Sequence, residues 1–186
     1  MTWIQTFTGR AFDLLNPDPD SIVIEDIAHH LALINRFTGA TAEPYSVAQH
    51  SVLCSMIVPR ELALAALLHD AAEAYVADVS RPLKQAMRQN TGRPVSDYDW
   101  IAARAEDAIT ARFGVDLSDP QIAEADMRML ATERAHLHHS PPRDWDLRAE
   151  PYPFEPWQIA PWPWKRAERE FLARFDRLLI ARIACE

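Results

Sequence analysis

Glycine is scarce in this chain, with four in 186 residues, at positions 9, 39, 92 and 114. No glycine-rich loop is present to cradle a phosphate, and the Gly-Arg pairs at 9–10 and 92–93 read as turns only. Cysteine is nearly absent. Cys54 and Cys185 cannot build a disulfide framework, and they read as free thiols suited to a reducing compartment. Long apolar runs are missing too. The longest, Leu62 to Leu68, falls far short of the roughly 20 residues that span a bilayer. The opening MTWIQTFTGRAF lacks the basic-then-apolar layout of a secretion signal, so the expected location is cytoplasmic, with no membrane partner. Basic residues are outnumbered 19 to 27, giving a formal charge of −8. A nucleic-acid polymer needs a concentrated basic face and finds none here. A small anion in a pocket needs only a few local positive groups.

What remains is one domain's worth of chain, 1–186, with 48% apolar residues to bury. Its middle is rich in Ala, Leu, Glu and Arg, which favours helix. The expected fold is all-α, a compact bundle of six or seven helices behind a short extended N-terminal segment. Ile24, Ile27, Ala28, Leu31 and Ile34 share one face of a first helix that Thr38-Gly39 ends. Ser46 caps a second helix that stops at Pro59. A third runs over 61–76 and, being apolar nearly all round at 62–68, should be the central buried one. A short helix follows Ser80, with Pro82 in its first turn. Two longer ones span about 96–113 and 120–137, and a last one 164–183 turns Phe171, Leu172, Phe175, Leu178 and Leu179 inward. Seven of the fourteen prolines fall between Pro141 and Pro163, among tryptophans. Aromatic residues at that density are costly to leave in water, so this stretch reads as an ordered strap over the core.

The third helix carries the anomaly. His69 and Asp70 follow seven apolar residues directly, Glu73 comes one turn later, and Asp78 lies just past the helix end. Burying these groups together is expensive unless something positive compensates them, and a metal ion compensates them all at once. His50 sits on an otherwise apolar face of the neighbouring helix, and Asp126 lies close to the apolar face of the sixth. Arg36, Arg81 and Lys84 are the cations placed to meet an anion, and the helix start after Ser80 offers backbone N–H groups. The run His136-Leu137-His138-His139 reads as an exposed helix end, and of His29 and His30 one ring should pack and the other stay exposed. Trp157, Trp162 and Trp164 read as packing residues.

One histidine, then an adjacent His-Asp pair, then a distant aspartate: this order resembles the HD-domain phosphohydrolase superfamily, an all-α fold with that metal ligation. The segments YSVAQHS at 45–51 and LLHDAAEAYVAD at 67–78 resemble its small single-domain subgroup. That subgroup includes bacterial 5′-deoxynucleotidases and phage-type deoxynucleoside triphosphate triphosphohydrolases. The likeness covers about residues 22 to 135. It implies His50, His69, Asp70 and Asp126 as ligands of one divalent metal ion, with Mn, Co, Fe, Ni, Zn and Mg all compatible. It implies Glu73 and Asp78 as the acids that serve the attacking water and the leaving group. Arg36-Phe37 resembles the Arg-Trp pair that reaches phosphate and sugar in the nucleotidases, with Phe standing where they have Trp. Arg81 and Lys84 complete the expected substrate contacts. The expected activity is hydrolysis of a nucleoside 5′-phosphate, a deoxynucleoside monophosphate first and release of triphosphate from a deoxynucleoside triphosphate second. A catalytically silent nucleotide-binding module is the alternative of another class. A homo-oligomer, most simply a dimer, is also expected.

Overall fold

An antiparallel pair of three-residue strands, β1 (Trp3–Gln5) and β2 (Ala11–Asp13), opens the chain. This structure is a computed structural model and describes residues 1–183. Cys185, read above as a free thiol, lies outside them. The hairpin is tied to helix α1 (Ile24–Leu33) by polar contacts to Asp26 and His30. The Asp26 carboxylate accepts from the Thr8 amide at 2.7 Å and the Thr8 hydroxyl at 2.9 Å. His30 accepts from the Phe7 amide at 3.1 Å and donates to the Ala74 carbonyl at 2.7 Å. His29 stacks on Phe7 at 3.7 Å. Both of these histidines are therefore ties, and neither is the exposed one the sequence suggested.

Most of the remainder is helical, as expected for an all-α bundle. The elements are α2 (Val47–Ile57), α3 (Ala63–Leu68), α4 (Glu73–Val76), α5 (Arg81–Thr91), α6 (Asp97–Phe113), α7 (Pro120–Leu137), α8 (Pro156–Ile159) and α9 (Trp164–Ile183). Local chemistry sets several boundaries. Ser46 accepts from the Gln49 amide at the start of α2, Ser96 and Asp99 form a capping box on α6, and Asp119 caps α7. Gly114, at φ 60°, closes α6 in the left-handed region that a side chain disfavours. No helix among the described residues is long and apolar enough to cross a membrane.

Helices α1, α2, α3 and α9 surround the core, with Ile27, Leu31, Val52, Leu67, Leu68 and Phe171 buried together. Each such side chain contributes about 1.5–3 kcal/mol by leaving water. Helix α2 is buried from Val47 through Ser55, so it shares the central position foreseen for the third helix alone.

Four expectations need correction. The first helix ends at Leu33, five residues early, because Ile34 and Asn35 turn extended to bridge the 45–47 segment. The Arg36 amide donates to Tyr45 and the Val47 amide to Ile34, which no helix could allow. The third helix is broken after Leu68: residues 69–72 tighten to i→i−3 hydrogen bonds before α4 resumes. Leu179 is exposed, since Phe171, Leu172, Phe175 and Leu178 form the face of α9 that packs on the core and Leu179 lies beside that face. The strap is pinned at separate points. Ile159 is buried, Gln49 bonds both Ala160 and Trp162, and the Tyr152 amide donates to Thr132. Trp157, read as a packing residue, stands 75% exposed.

Candidate metal centre

Helix α2 places His50 directly behind Asp70 and Asp126, two lining residues of a cavity of about 750 Å³. Its imidazole is fully buried, and its Nδ1 lies 2.6 Å from Glu133 Oε1. The carboxylate can only accept, so Nδ1 carries the proton and Nε2 presents a lone pair. His69, in the tightened turn after α3, repeats the arrangement. Its Nδ1 donates to the Ala66 carbonyl at 2.8 Å. The two Nε2 atoms face each other at 3.3 Å.

Two carboxylates close on the same point. Asp70 Oδ2 lies 3.5 Å from His50 Nε2 and 3.3 Å from His69 Nε2. Asp126 Oδ1, from α7, lies 3.1 and 3.9 Å from the same nitrogens. The residues expected as ligands are thus brought together from three elements. Lone pairs and carboxylates packed this tightly repel one another unless a proton or a cation sits among them. In the metal-free protein protons take that place. Burial alone would lower His69, but Asp70 and Asp126 outweigh it and raise the imidazole to about 10. Burial alone would raise Asp126; the bonds from His50 and His69 outweigh it and hold the carboxyl well below its ordinary range.

A third donor type also touches this point. Cys54, one turn beyond His50, puts its Sγ 3.4 Å from His50 Nε2. His50, Cys54 and His69 form a group that can hold a metal ion. Cys54 is a free buried thiol, as expected, and its four-residue spacing from His50 brings it to this point.

Arg36 is 9% exposed and faces the acids. It donates from Nε to Glu133 at 3.1 Å and from Nη1 to Asp70 at 3.3 Å, with Nη2 4.0 Å from Asp126. It does not close a helix, as the sequence implied. It hangs from a turn in which Phe37 and Thr38 hold φ of 58° and 55°. Glu133 is the residue that the sequence reading missed. It is wholly buried on α7, seven residues beyond Asp126 on the same helix face, and binds both Arg36 and His50.

Glu73 and Asp78 also line the cavity. Burial, with the charges of Asp70 and Asp78 added, pushes Glu73 up to about 9, and one of its oxygens is buried without a hydrogen-bond partner. Burial and Asp70 raise Asp78 as well. Between these acids, Ala77 takes φ 65° and ψ 159°, a region essentially reserved for glycine, with its carbonyl held by the Tyr98 hydroxyl at 2.8 Å. Arg81, Lys84 and Arg88 reach the same cavity from α5. Arg88 is engaged by Asp99 through bonds of 2.9 and 2.7 Å. Phe37 lines the cavity next to His138 and Trp145, so His138 belongs to the site and not to a plain exposed helix end.

No family model matches the chain. Among curated proteins it is similar to two uncharacterized ones. RCAP_rcc00048 of Rhodobacter capsulatus is 38% identical over 122 residues, covering 61% of this chain and 59% of that protein. YfdR of Escherichia coli strain K12 is 38% identical over 180 residues, which is 96% of this chain and 96% of YfdR. With that identity held over nearly its whole length, the chain belongs to the family of YfdR.

Proposed function

We propose that this chain is an HD-type, metal-dependent phosphohydrolase that releases phosphate from a deoxynucleoside 5′-monophosphate. The observation that carries this reading is the pair of imidazoles with both Nδ1 atoms tied to acceptors. Their Nε2 atoms converge with Asp70 and Asp126 at the floor of a cavity walled by cations. His50, His69, Asp70 and Asp126 would hold one divalent ion, and that ion supplies Lewis-acid polarisation of a phosphoryl oxygen and a lowered pKa for water. The mixed nitrogen and oxygen set suits Mn, Co, Fe, Ni, Zn or Mg. Cys54 is the competing donor. It packs with Tyr45, Leu53 and Met129 away from the cavity, whereas the carboxylates line it, so an ion that meets substrate sits on the carboxylate side.

The chain's own groups then divide the work. Arg81 and Lys84 draw the phosphate in, while Arg36 is drawn down to the acids. Glu73, ionised once a divalent cation offsets the neighbouring acids that hold its proton in the metal-free protein, would accept the proton of the attacking water as the water oxygen bonds to phosphorus. Asp78 gives a proton to the 5′ oxygen as the phosphorus–oxygen bond breaks, leaving phosphate and nucleoside. Arg88 is taken by Asp99, so only Arg81 and Lys84 on the α5 wall are left to face phosphate, which favours the monophosphate over the triphosphate.

The test is metal analysis of purified protein followed by a panel of nucleoside mono-, di- and triphosphates with Mn, Co and Mg. About one ion per chain and inorganic phosphate from monophosphates is the expected result. Glu73→Ala should keep the ion and lose turnover, while Asp126→Ala should lose the ion. Intact triphosphate as product would move the assignment to the triphosphohydrolases. A metal-loaded protein that binds nucleotides and turns none over would make it a silent binding module.

A further inference from the structure

The nucleotide reading accounts for the floor of the cavity and its cationic wall but leaves its far end unused. Three rings from three separate elements meet there: Phe37 from the left-handed turn, His138 from the end of α7 and Trp145 from the strap. Phe37 and His138 stand edge to face at 4.6 Å and 83°, and His138 and Trp145 at 5.1 Å and 68°. An edge-to-face contact covers only one face of one ring in each pair, and Trp145 remains 38% exposed. His138 Nε2 is buried there with no hydrogen-bond partner. The backbone is held against its preference around this cluster, with Phe37, Thr38 and Asp146 all at positive φ. Such strain persists only where the surroundings over-determine it, and it collects at ligand sites.

Charge separates the two ends. Arg81 touches Met127, which follows the Asp126 position on α7, through an Nη2–Sδ contact of 2.9 Å. His138 caps the other end of the same helix. Met127 and Leu137 are about 15 Å apart along the axis at the α-helical rise. Between them Arg36 spans the gap, its guanidinium on the acids and 5.3 Å from the Phe37 ring centre. The Arg81 end therefore welcomes a phosphate. At the other end Asp144 and Asp146 flank Trp145 and repel one.

We propose that the strap end of the cavity seats the planar heterocycle of the substrate, stacked on Trp145, which makes Trp145 a specificity-determining residue. This rests on the nucleoside phosphate reading. A base on an aromatic face is worth roughly 5- to 150-fold in binding and tolerates any base. The two carboxylates offer acceptors to the N–H groups of the base edge. The strap, which the catalytic floor does not need, then has a function: it distinguishes a nucleotide from a bare sugar phosphate.

The experiment compares wild type, Trp145→Ala and Trp145→Phe on deoxyadenosine 5′-monophosphate and on base-free 2-deoxyribose 5-phosphate. Calorimetric binding of deoxyadenosine to the metal-free protein runs alongside. Trp145→Ala should raise KM for the nucleotide about ten-fold or more, keep kcat, and leave the base-free ester unchanged; Trp145→Phe should restore most of the loss. Equal effects on both esters, or none on either, overturn the stacking assignment while the phosphohydrolase reading stands. If wild type hydrolyses neither ester, the phosphohydrolase reading falls and calorimetry decides alone. Deoxyadenosine binding that disappears in Trp145→Ala supports the seat, and binding that is absent or indifferent to the change removes it.

Discussion

The floor of the cavity and its cationic wall are built in opposite ways. His50 and Glu133 are fully buried on α2 and α7 and are locked to each other and to Arg36. Helix α5, which carries Arg81, Lys84 and Arg88, buries no side chain at all. The floor consists of charged groups that survive only because each is paired, so it cannot move without exposing an uncompensated charge. The wall carries no such constraint and belongs to the low-stability end of the molecule. Chemistry at a fixed point needs the first kind of construction. Admission and release of an anion need the second.

The sharpest way to break the floor is Glu133→Ala. It leaves Arg36 Nε and His50 Nδ1 buried without their acceptor, a loss of about 3–5 kcal/mol for a broken buried pair. In a domain of this size each kcal/mol is about 2–4 °C of Tm, so a fall of roughly 6–20 °C is expected by calorimetry. Glu133→Gln keeps an acceptor and should lose clearly less. A Glu133→Ala protein as stable as wild type would show that the floor is not held this way.

Acidity probes the same floor without mutation. His69 is raised to about 10 from an ordinary 6.5, and Glu73 to about 9 from 4.5. Both groups hold protons more tightly folded than unfolded. Their stabilising contributions are complete below 6.5 and 4.5 respectively and are lost as pH climbs toward 10 and 9. Asp126, lowered when folded, acts in the reverse sense and weakens the protein only in acid. The urea midpoint of the metal-stripped protein should therefore fall between pH 6.5 and 9. A divalent ion replaces those protons, so its affinity should rise over the same range and flatten the profile. A midpoint that climbs with pH in the stripped protein contradicts the charge arrangement described here.

Donor identity is the next test and separates the carboxylates from the thiol. Cys54→Ser should leave bound metal near one per chain, while Asp126→Ala should lower affinity by ten-fold or more, read by metal analysis after dialysis. The opposite ranking would place the ion on the His50, Cys54 and His69 side.

The helices were legible because their ends are written locally. Ser46, the Ser96–Asp99 box and Asp119 are caps that any context would use, and Gly114 stops a helix by its own freedom. Positions 50, 69, 70 and 126 each interrupt an apolar face, but it was the resemblance carried by their order along the chain that joined them in one expected set. Glu133 was not legible. A glutamate in ATERAH looks solvated until Arg36, 97 residues away in sequence, is known to cover it. The left-handed turn at Phe37-Thr38 escaped for a similar reason: neither residue advertises positive φ, and the bridge from Asn35 to Ser46 imposes it. The aromatic end of the cavity also depends on chain reversal. His138 and Trp145 lie seven residues apart across Pro141-Pro142, and periodicity has nothing to say about such a segment.

The smallest expected effect is the one that best sharpens the contrast between floor and wall. Arg88 and Asp99 form a two-pronged pair that ties α5 to α6, with the arginine side chain 44% exposed. Exposed pairs of this kind contribute about 0.2–1 kcal/mol, so Arg88→Ala should shift Tm by no more than about 2–4 °C. Hydrogen exchange should respond where Tm barely does. Amides of residues 81–91 should exchange faster once the tie is cut, while those of α2 keep their protection, because opening the wall exposes no buried side chain and opening the floor would expose several. If the α2 amides accelerate in step with those of α5, wall and floor open as one cooperative unit, and the division of labour between them disappears.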